Sequence, residues 1–137
     1  MADNKTTAER WFNEVVNEGK VDVIDELIAD DFVDHDPFPG TSADVKGLKD
    51  GIEMIRSAFP DVQMSIDEAI AEGDALAIRS TTRGTHDGEF MGMPATGKKV
   101  EVAGYDIVHF EDGKVTEHWG VIDTGAMLEQ LGVAPPS

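Results

Sequence analysis

The stretch YDIVHFEDGKVTEHWGVID, from Tyr105 to Asp123, decides the fold. Two runs rich in valine, isoleucine and aromatic residues flank a Glu-Asp-Gly turn, a pattern typical of a β-hairpin. The same stretch carries acids and two histidines, which are residues able to transfer protons. Its chemistry therefore depends on whether Asp106 and His118 lie on the same face of the hairpin.

The turn sets which side chains share a face. A two-residue Asp112-Gly113 loop pairs Ile107 with His118 and sends Asp106 and His118 to opposite faces. A three-residue loop, with Gly113 as a left-handed bulge, instead pairs Asp106 directly with His118 on one face. The hydrophobic pattern leaves both registers open, because each gathers apolar side chains on one side.

Helices are predicted before the hairpin. The capping box TTAE at residues 6–9 starts a first helix that ends near Gly19. Asp22 is predicted to cap a short second helix, and a third helix runs from about Val45 to Pro60. The segment FVDHDPFPGTS between the second and third helices is predicted as a loop, because it is dense in turn-forming residues.

Strands follow the third helix. Alternating apolar residues from Val62 to Ile66, then ALAIRSTTRGTH, KVEVAGYDIVHF and KVTEHWGVI, predict an antiparallel sheet. Helices first and an antiparallel sheet afterwards indicate an α+β fold, in one domain over residues 1–137. Helices on one face of a curved sheet enclose a cavity suited to a small molecule.

A short helix is predicted at the C-terminal end, over DTGAMLEQLG. Asp123 stands immediately before it, so its carboxylate is either a helix cap or part of a site, and its position favours the cap.

The charge of the chain limits its partners. Its 28 acidic and 11 basic residues give a net charge of −17, which repels phosphate backbones and anionic lipids. We therefore expect neither nucleic acid nor a membrane as partner. The acidity fits either a protein from a halophile or an ordinary acidic protein. With no cysteine, no signal-peptide pattern and no long apolar run, a cytoplasmic location is expected.

Several motifs carry a resemblance to a known family. They are GTHDGEFMGMPATG, DGK and HWGVIDTGAMLEQLG, together with ADDFVDHDP and FPD nearer the N-terminus. Over nearly the whole chain these segments resemble the SnoaL-like polyketide cyclases, also called ester cyclases. The resemblance implies a cone-shaped curved antiparallel sheet packed against N-terminal helices, the nuclear-transport-factor-2-like fold. It also implies a homodimer paired through the sheet, and a site in the cone without cofactor or metal.

The family chemistry maps onto two positions of this chain. In characterised cyclases of the family, an aspartate on the last strand is the general acid/base of an aldol ring closure, assisted by a histidine on the preceding strand. Aligned through DGK, these positions are Gly120 and Asp106, so neither family residue is present here. The resemblance places both positions inside the cone. It thereby favours the bulged register, in which His118 also faces inward.

Asp106 and His118 are the candidate catalytic pair, with His35 assisting at the rim of the cavity. A carboxylate beside an imidazole fixes its tautomer and raises its basicity, which suits proton transfer near neutral pH. Aldol cyclisation, isomerisation or hydration of a small apolar or polyketide-like molecule would follow, as in a cofactor-free lyase or isomerase. The alternatives are a structural cross-strand pair and a non-catalytic binding or scaffold protein that lost the cyclase acid at Gly120.

Large apolar side chains from the helical half are predicted to bind the ligand: Phe12, Phe32, Met54 and Phe59. No metal is expected, since the histidines lack the spacing of known metal-binding motifs.

Two other types of site in this fold class require particular residues. A ketosteroid-isomerase-like site requires a tyrosine in the pocket, but Tyr105 has the opposite strand parity from Asp106. A limonene-epoxide-hydrolase-like site uses an Asp–Arg–Asp arrangement, of which Arg79 and Asp106 would supply only a part.

Overall fold

A computed structural model describes residues 3–132. Within them the α-helices are α1 (Asn4–Arg10), α2 (Ile24–Leu27), α3 (Val45–Ala58) and α4 (Thr124–Leu131). The strands are β1 (Ile28–Asp34), β2 (Gln63–Glu72), β3 (Ala75–Thr85), β4 (Lys99–Glu111) and β5 (Lys114–Ile122). A π-helical segment (Trp11–Asn17) continues α1, and a 3-10 turn (Val21–Val23) precedes α2.

Two predicted helix starts are wrong by a few residues. Asp3, with extended backbone, accepts from the Thr6 N–H at 2.8 Å, so α1 begins at Asn4 and the predicted threonine cap lies inside it. Asp22 lies within the 3-10 turn and caps nothing. Helix α3 begins at Val45 as predicted, because Asp44 accepts from the Gly47 N–H at 3.0 Å.

The five strands form one mixed sheet in the order β1-β5-β4-β3-β2. Strand β1 runs parallel to β5, whereas the other neighbours are antiparallel. The prediction of a wholly antiparallel sheet, with a loop beginning at Phe32, is therefore wrong at this edge. Strand β5, which pairs with β1, lies more than 80 residues away in the sequence, so no local turn or spacing signal indicates the pairing.

The hairpin follows neither predicted register. Asp112 and Gly113 have φ of 52° and 80°, the conformation of a two-residue turn, and Glu111 pairs with Lys114. An extra residue, Thr116, then bulges out of β5 between the pairs Phe110–Val115 and His109–Glu117.

This bulge shifts the rest of the hairpin by one residue. Val108 now lies opposite His118, and Asp106 lies opposite Gly120. Asp106 and His118 therefore share a face as diagonal neighbours and do not oppose one another directly.

The helices cover one face of the sheet, as the predicted α+β cone requires. Buried side chains from both layers form one core: Phe12, Val15, Val16, Ile24, Leu27, Phe32, Ile52, Phe59, Leu76, Ile78, Val100, Val102, Phe110 and Met127 are among them. Strand alternation sends every second residue of β3 and β4 into this layer. The curved inner face and the helices leave a cavity between them.

The opposite face of the sheet is open. Ile70, Tyr105, Ile107 and Val121 on this face are each about half exposed or more. The expected homodimer would cover these apolar side chains, and it stays a prediction. No described helix is both long enough and apolar enough to span a bilayer.

Helix α4 closes the fold and has the predicted cap. Asp123 accepts from the Ala126 N–H at 3.0 Å, and Gly132 ends the helix with φ of 78°. Gln130 joins the helix to β4 through two hydrogen bonds with the Glu101 backbone. Asp123 is thus used at the helix start, and it does not line the cavity.

Replacing this cap tests its role. We expect Asp123→Ala to lower the free energy of unfolding by about 1 kcal/mol, because the first turn of α4 loses its acceptor. Asp123→Asn keeps an acceptor and should remain close to the wild type. Chemical denaturation followed by circular dichroism measures both, and equal stability of all three proteins would contradict the capping role.

Candidate active site

The cavity between helices and sheet has a volume of about 380 Å³, within the range of small-molecule sites. Its wall is dominated by apolar and aromatic side chains, which include Trp11, Phe12, Phe32, Phe38, Phe59 and Phe90. Three of the predicted ligand-binding residues, Phe12, Phe32 and Phe59, are thus part of the wall. Met54 is not, because it lies on the outward side of α3 with 39% of its surface exposed.

Polar side chains gather at one end of this cavity, around His118. Its Nε2 lies 2.7 Å from Oδ1 of Asp106, and its Nδ1 lies 2.8 Å from Oδ1 of Asp34. All three side chains line the cavity, and Asp34 is only 6% exposed. The predicted Asp106–His118 pair is in place, and a second carboxylate completes an Asp34–His118–Asp106 triad.

Asp34 was missed by sequence reasoning, although its neighbour His35 was chosen. The register of the parallel strand pair places Asp34 beside His118. Within β1 the burial alternates, with Phe32 and Asp34 inside and Val33 outside. In the sequence, the alternation of Phe32, Val33 and Asp34 indicates that Asp34 faces inward only if this segment is a strand, and it was predicted as a loop.

His35 faces away from the cavity, contrary to its predicted assisting role. Its ring stacks on Trp119 at a centroid distance of 4.4 Å and an interplanar angle of 5°. Its Nε2 lies 3.1 Å from Oε2 of Glu117. Strand alternation explains this position, because residues next to an inward-facing aspartate face outward.

The segment Asp34-His35-Asp36 fastens β1 to β5. The His35 N–H donates to the His118 carbonyl at 2.9 Å, and the Gly120 N–H donates to Oδ2 of Asp36 at 2.9 Å. The Asp36 N–H also donates to Oδ1 of Asp34 at 3.0 Å, which orients that carboxylate toward His118. The triad is therefore held by backbone as well as side-chain contacts.

The two carboxylates make His118 strongly basic. Burial alone would lower the pKa of His118, but the hydrogen bonds to Asp106 and Asp34 and their negative charges outweigh it and raise the pKa from 6.5 to about 9. At neutral pH the ring is an imidazolium that donates from both nitrogens. His118 is then a donor, and not the near-neutral base expected from the sequence.

Asp106 has the more accessible carboxylate of the triad. Its Oδ1 is engaged by His118, whereas its Oδ2 takes no hydrogen bond from any residue between 3 and 132. Asp106 lines the cavity with its side chain 24% exposed, against 7% for Asp34, so its second oxygen is the more open to a ligand.

Gly120 is what allows Asp106 and His118 to meet. A Cβ built on Gly120 would collide with Oδ1 of Asp106 and would lie 2.7 Å from Nε2 of His118. The absence of a side chain at this position, which seemed a loss of chemistry, is thus a steric requirement of the present triad.

The other residues weighed from the sequence lie outside the site. Tyr105 is on the outer face, and Arg79 lies 3.8 Å from Asp67 and 3.7 Å from Glu68 there. His86 is fully buried and its Nδ1 lies 3.0 Å from the Thr96 hydroxyl, which holds the loop after β3. Between residues 3 and 132, no set of three His, Asp or Glu side chains is arranged to hold a metal ion.

Comparisons with known proteins agree on one family. The sequence profile of the SnoaL-like polyketide cyclases matches residues 6–131. No curated protein matches the chain in sequence.

Solved structures resemble the fold closely. IdmH from Streptomyces antibioticus, a candidate polyketide cyclase, is 34% identical with a TM-score of 0.84, covering 96% of this chain and 100% of its own. AclR from Streptomyces galilaeus, a candidate hydroxylase, is 31% identical with a TM-score of 0.84, covering 100% and 85%. TsrD from Streptomyces laurentii is 26% identical with a TM-score of 0.85, covering 93% of each chain.

The coupling within the triad can be measured directly by NMR titration of His118. We expect Asp106→Asn and Asp34→Asn each to lower the His118 pKa by about 1–2 units, because each removes one neighbouring negative charge. Glu117→Gln, on the outer face beside His35, serves as the matched control and should leave it unchanged. An unaltered His118 titration in both aspartate variants would show that the triad is not formed in solution.

The steric role of Gly120 gives a separate prediction. Gly120→Ala should lower the His118 pKa, since the added methyl group pushes Asp106 and the imidazole apart. Gly125→Ala, where a Cβ meets only Oδ1 of Asp123 at 3.7 Å, is the control. The same NMR titration measures both variants, and a His118 pKa that stays near 9 in Gly120→Ala would contradict the steric argument.

Proposed function

Since this chain belongs to the SnoaL-like polyketide cyclase family, we propose that its cavity binds a neutral, largely apolar ring compound and that the triad transfers a proton on it without a cofactor. The observation that carries the proposal is His118, hydrogen-bonded at both nitrogens to carboxylates that line a mostly apolar cavity. A structural cross-strand pair needs neither the second carboxylate nor a cavity.

The charge of the site supports a neutral ligand. With His118 protonated, the two carboxylates leave the triad with a net charge of −1, so an anionic ligand is repelled. The surrounding wall supplies mainly aromatic and aliphatic faces, and its one arginine, Arg83, is paired with Glu101, which favours an aromatic or polycyclic molecule that stacks on the wall.

The proton balance follows from the positions of the three side chains. Oδ2 of Asp106 takes a proton from a carbon next to a ligand carbonyl, and the C–H electron pair becomes an enolate. In an aldol closure, the enolate carbon forms a bond to a second carbonyl carbon of the ligand. The new alkoxide then takes the proton back from Asp106, which restores the carboxylate.

His118 and Asp34 support Asp106 in this cycle. The imidazolium compensates the charge of Asp106 in an apolar environment, and because both of its N–H groups are bonded to carboxylates, it stabilises a developing oxyanion through its charge and not by a hydrogen bond. Asp34 holds the ring in place and keeps it protonated. Isomerisation would use the same first proton transfer, with the proton returned to a different carbon. Hydration would direct Asp106 at a water molecule.

The closest competitor is a binding or scaffold protein without catalysis. Fold likeness does not decide between them, because the similar structures include both a candidate cyclase and a candidate hydroxylase. The contact between Asp106 and His118, which Gly120 permits, favours the enzyme.

A proton-exchange assay distinguishes the enzyme from the non-catalytic binding or scaffold protein. The probe is 2-tetralone, a neutral bicyclic ketone, incubated in D₂O with the protein, and deuterium uptake is followed by mass spectrometry. The wild type should accelerate uptake over buffer, and Asp106→Asn should lose about 10²–10⁴-fold of that acceleration. The rate should also fall as pH rises through about 9, where His118 loses its proton.

His109→Gln is the control, because His109 contacts Trp119 on the outer face and should leave the rate unchanged. Binding of 2-tetralone without any acceleration over buffer would establish the non-catalytic alternative.

A further inference from the structure

The cavity contains a second polar feature, at a distance from His118. On β3 the inward-facing positions Ile78, Ser80, Thr82 and Gly84 all line the wall. Two of these four carry hydroxyl groups, in a wall that is otherwise mostly apolar. The function proposed above makes no use of them.

The hydrogen bonding of these hydroxyl groups is incomplete. Thr82 Oγ1 is buried and has no hydrogen-bond partner among residues 3–132. Ser80 is fully buried, and its Oγ reaches the Gly104 carbonyl only at 3.5 Å, the limit of a hydrogen bond. A buried hydroxyl without a partner lowers stability, so its presence calls for a compensating role.

The strand register gives the separation of the two polar features. Ile78 pairs with Asp106, whereas Thr82, four residues further along β3, pairs with Val102. At about 3.3 Å per residue, the Thr82 row lies about 13 Å from the Asp106 row. A ligand that reaches both must therefore be long.

The wall between these rows carries little side-chain bulk. Ser80 pairs with Gly104, and a Cβ on Gly104 would lie only 3.1 Å from Ser80 Oγ. With a small residue opposite a glycine, this stretch leaves room for a planar ring system against the strands.

The Thr82 hydroxyl can turn toward such a ligand. The residue lines the cavity and is only partly buried, while its hydroxyl oxygen is covered. Rotation about χ1 moves the hydroxyl between staggered positions. A ligand with a polar group at that point gives the hydroxyl the partner it lacks.

We propose that Thr82 binds a hydroxyl or carbonyl group at the far end of an elongated, planar ligand whose reacting carbonyl lies at Asp106. The inference rests on the proposed function, because it takes Asp106 as the reacting end. It adds one requirement to the ligand class, a second polar group about 13 Å from the reacting carbonyl.

Two probes isolate the Thr82 contact. Equilenin is a rigid four-ring ketone with a phenolic hydroxyl at the opposite end, and 3-deoxyequilenin lacks only that hydroxyl. The wild type should bind equilenin about tenfold more tightly than the deoxy compound, the worth of one hydrogen bond to a buried group. Calorimetric titration gives both dissociation constants.

Variants then assign the preference to one side chain. In Thr82→Val the ratio should fall to about one, while Thr82→Ser should keep it. Thr81→Val is the matched control, because the neighbouring hydroxyl donates to Asp67 on the other face and should not affect the ratio.

A denaturation experiment tests the same contact without any ligand. Thr82→Val should not lower the midpoint of unfolding, because the hydroxyl it removes has no partner in the free protein. A clear loss of stability would show that the hydroxyl is already bonded within the fold and would overturn the inference.

The binding outcomes separate this inference from the proposed function. If the wild type binds both probes with equal affinity, the Thr82 contact is wrong while the neutral-ligand cavity stands. If it binds neither probe, the proposed ligand class fails, and the inference that rests on it fails as well.

Discussion

A protonated histidine between two carboxylates joins three strands of this fold. Asp34 lies at the end of β1, Asp106 in β4 and His118 in β5, so one imidazole ring connects the parallel edge of the sheet to its centre. The imidazolium compensates one of the two carboxylate charges, which reduces the cost of placing ionised groups against an apolar cavity. Its two hydrogen bonds also fix both nitrogens of the ring, so the site is oriented before a ligand arrives.

The cavity wall is mostly apolar, and this triad and the two hydroxyl groups on β3 are among its polar groups. The aromatic surface comes mainly from the helical segments, from β1 and from loops, whereas all three residues of the triad lie on strands. The division follows from strand geometry, since alternate residues of β3, β4 and β5 reach the cavity while their neighbours face outward. A long ligand bound along β3 would extend from Asp106 past Ser80 to Thr82.

Much of the fold was readable from local sequence signals. The third and fourth helices begin where Asp44 and Asp123 precede them, because short acidic side chains satisfy the free N–H groups of a first turn. The inner faces of β3 and β4 follow from simple alternation. Asp106 and His118 were recognised as a pair on one face, although through a turn bulge that the molecule does not have.

What the sequence did not show depends on contacts between distant residues. The pairing of β1 with β5 links segments more than 80 residues apart, and missing it concealed Asp34 and placed His35 on the wrong side. The bulge at Thr116 leaves no mark in the composition of β5. The role of Gly120 is likewise spatial, because only the coordinates show which atoms a side chain there would displace.

The bulge at Thr116 determines which residues of β5 face the cavity. Before it, Val115 points inward; after it, His118 and Gly120 do, while Glu117 and Trp119 point outward. If the bulge were lost and Thr116 paired with His109, Glu117 and Trp119 would face the cavity in place of His118 and Gly120, whereas deletion of Thr116 would keep the present set inside. Gain or loss of a bulge is therefore a route by which a cone of this kind acquires a different set of reacting groups.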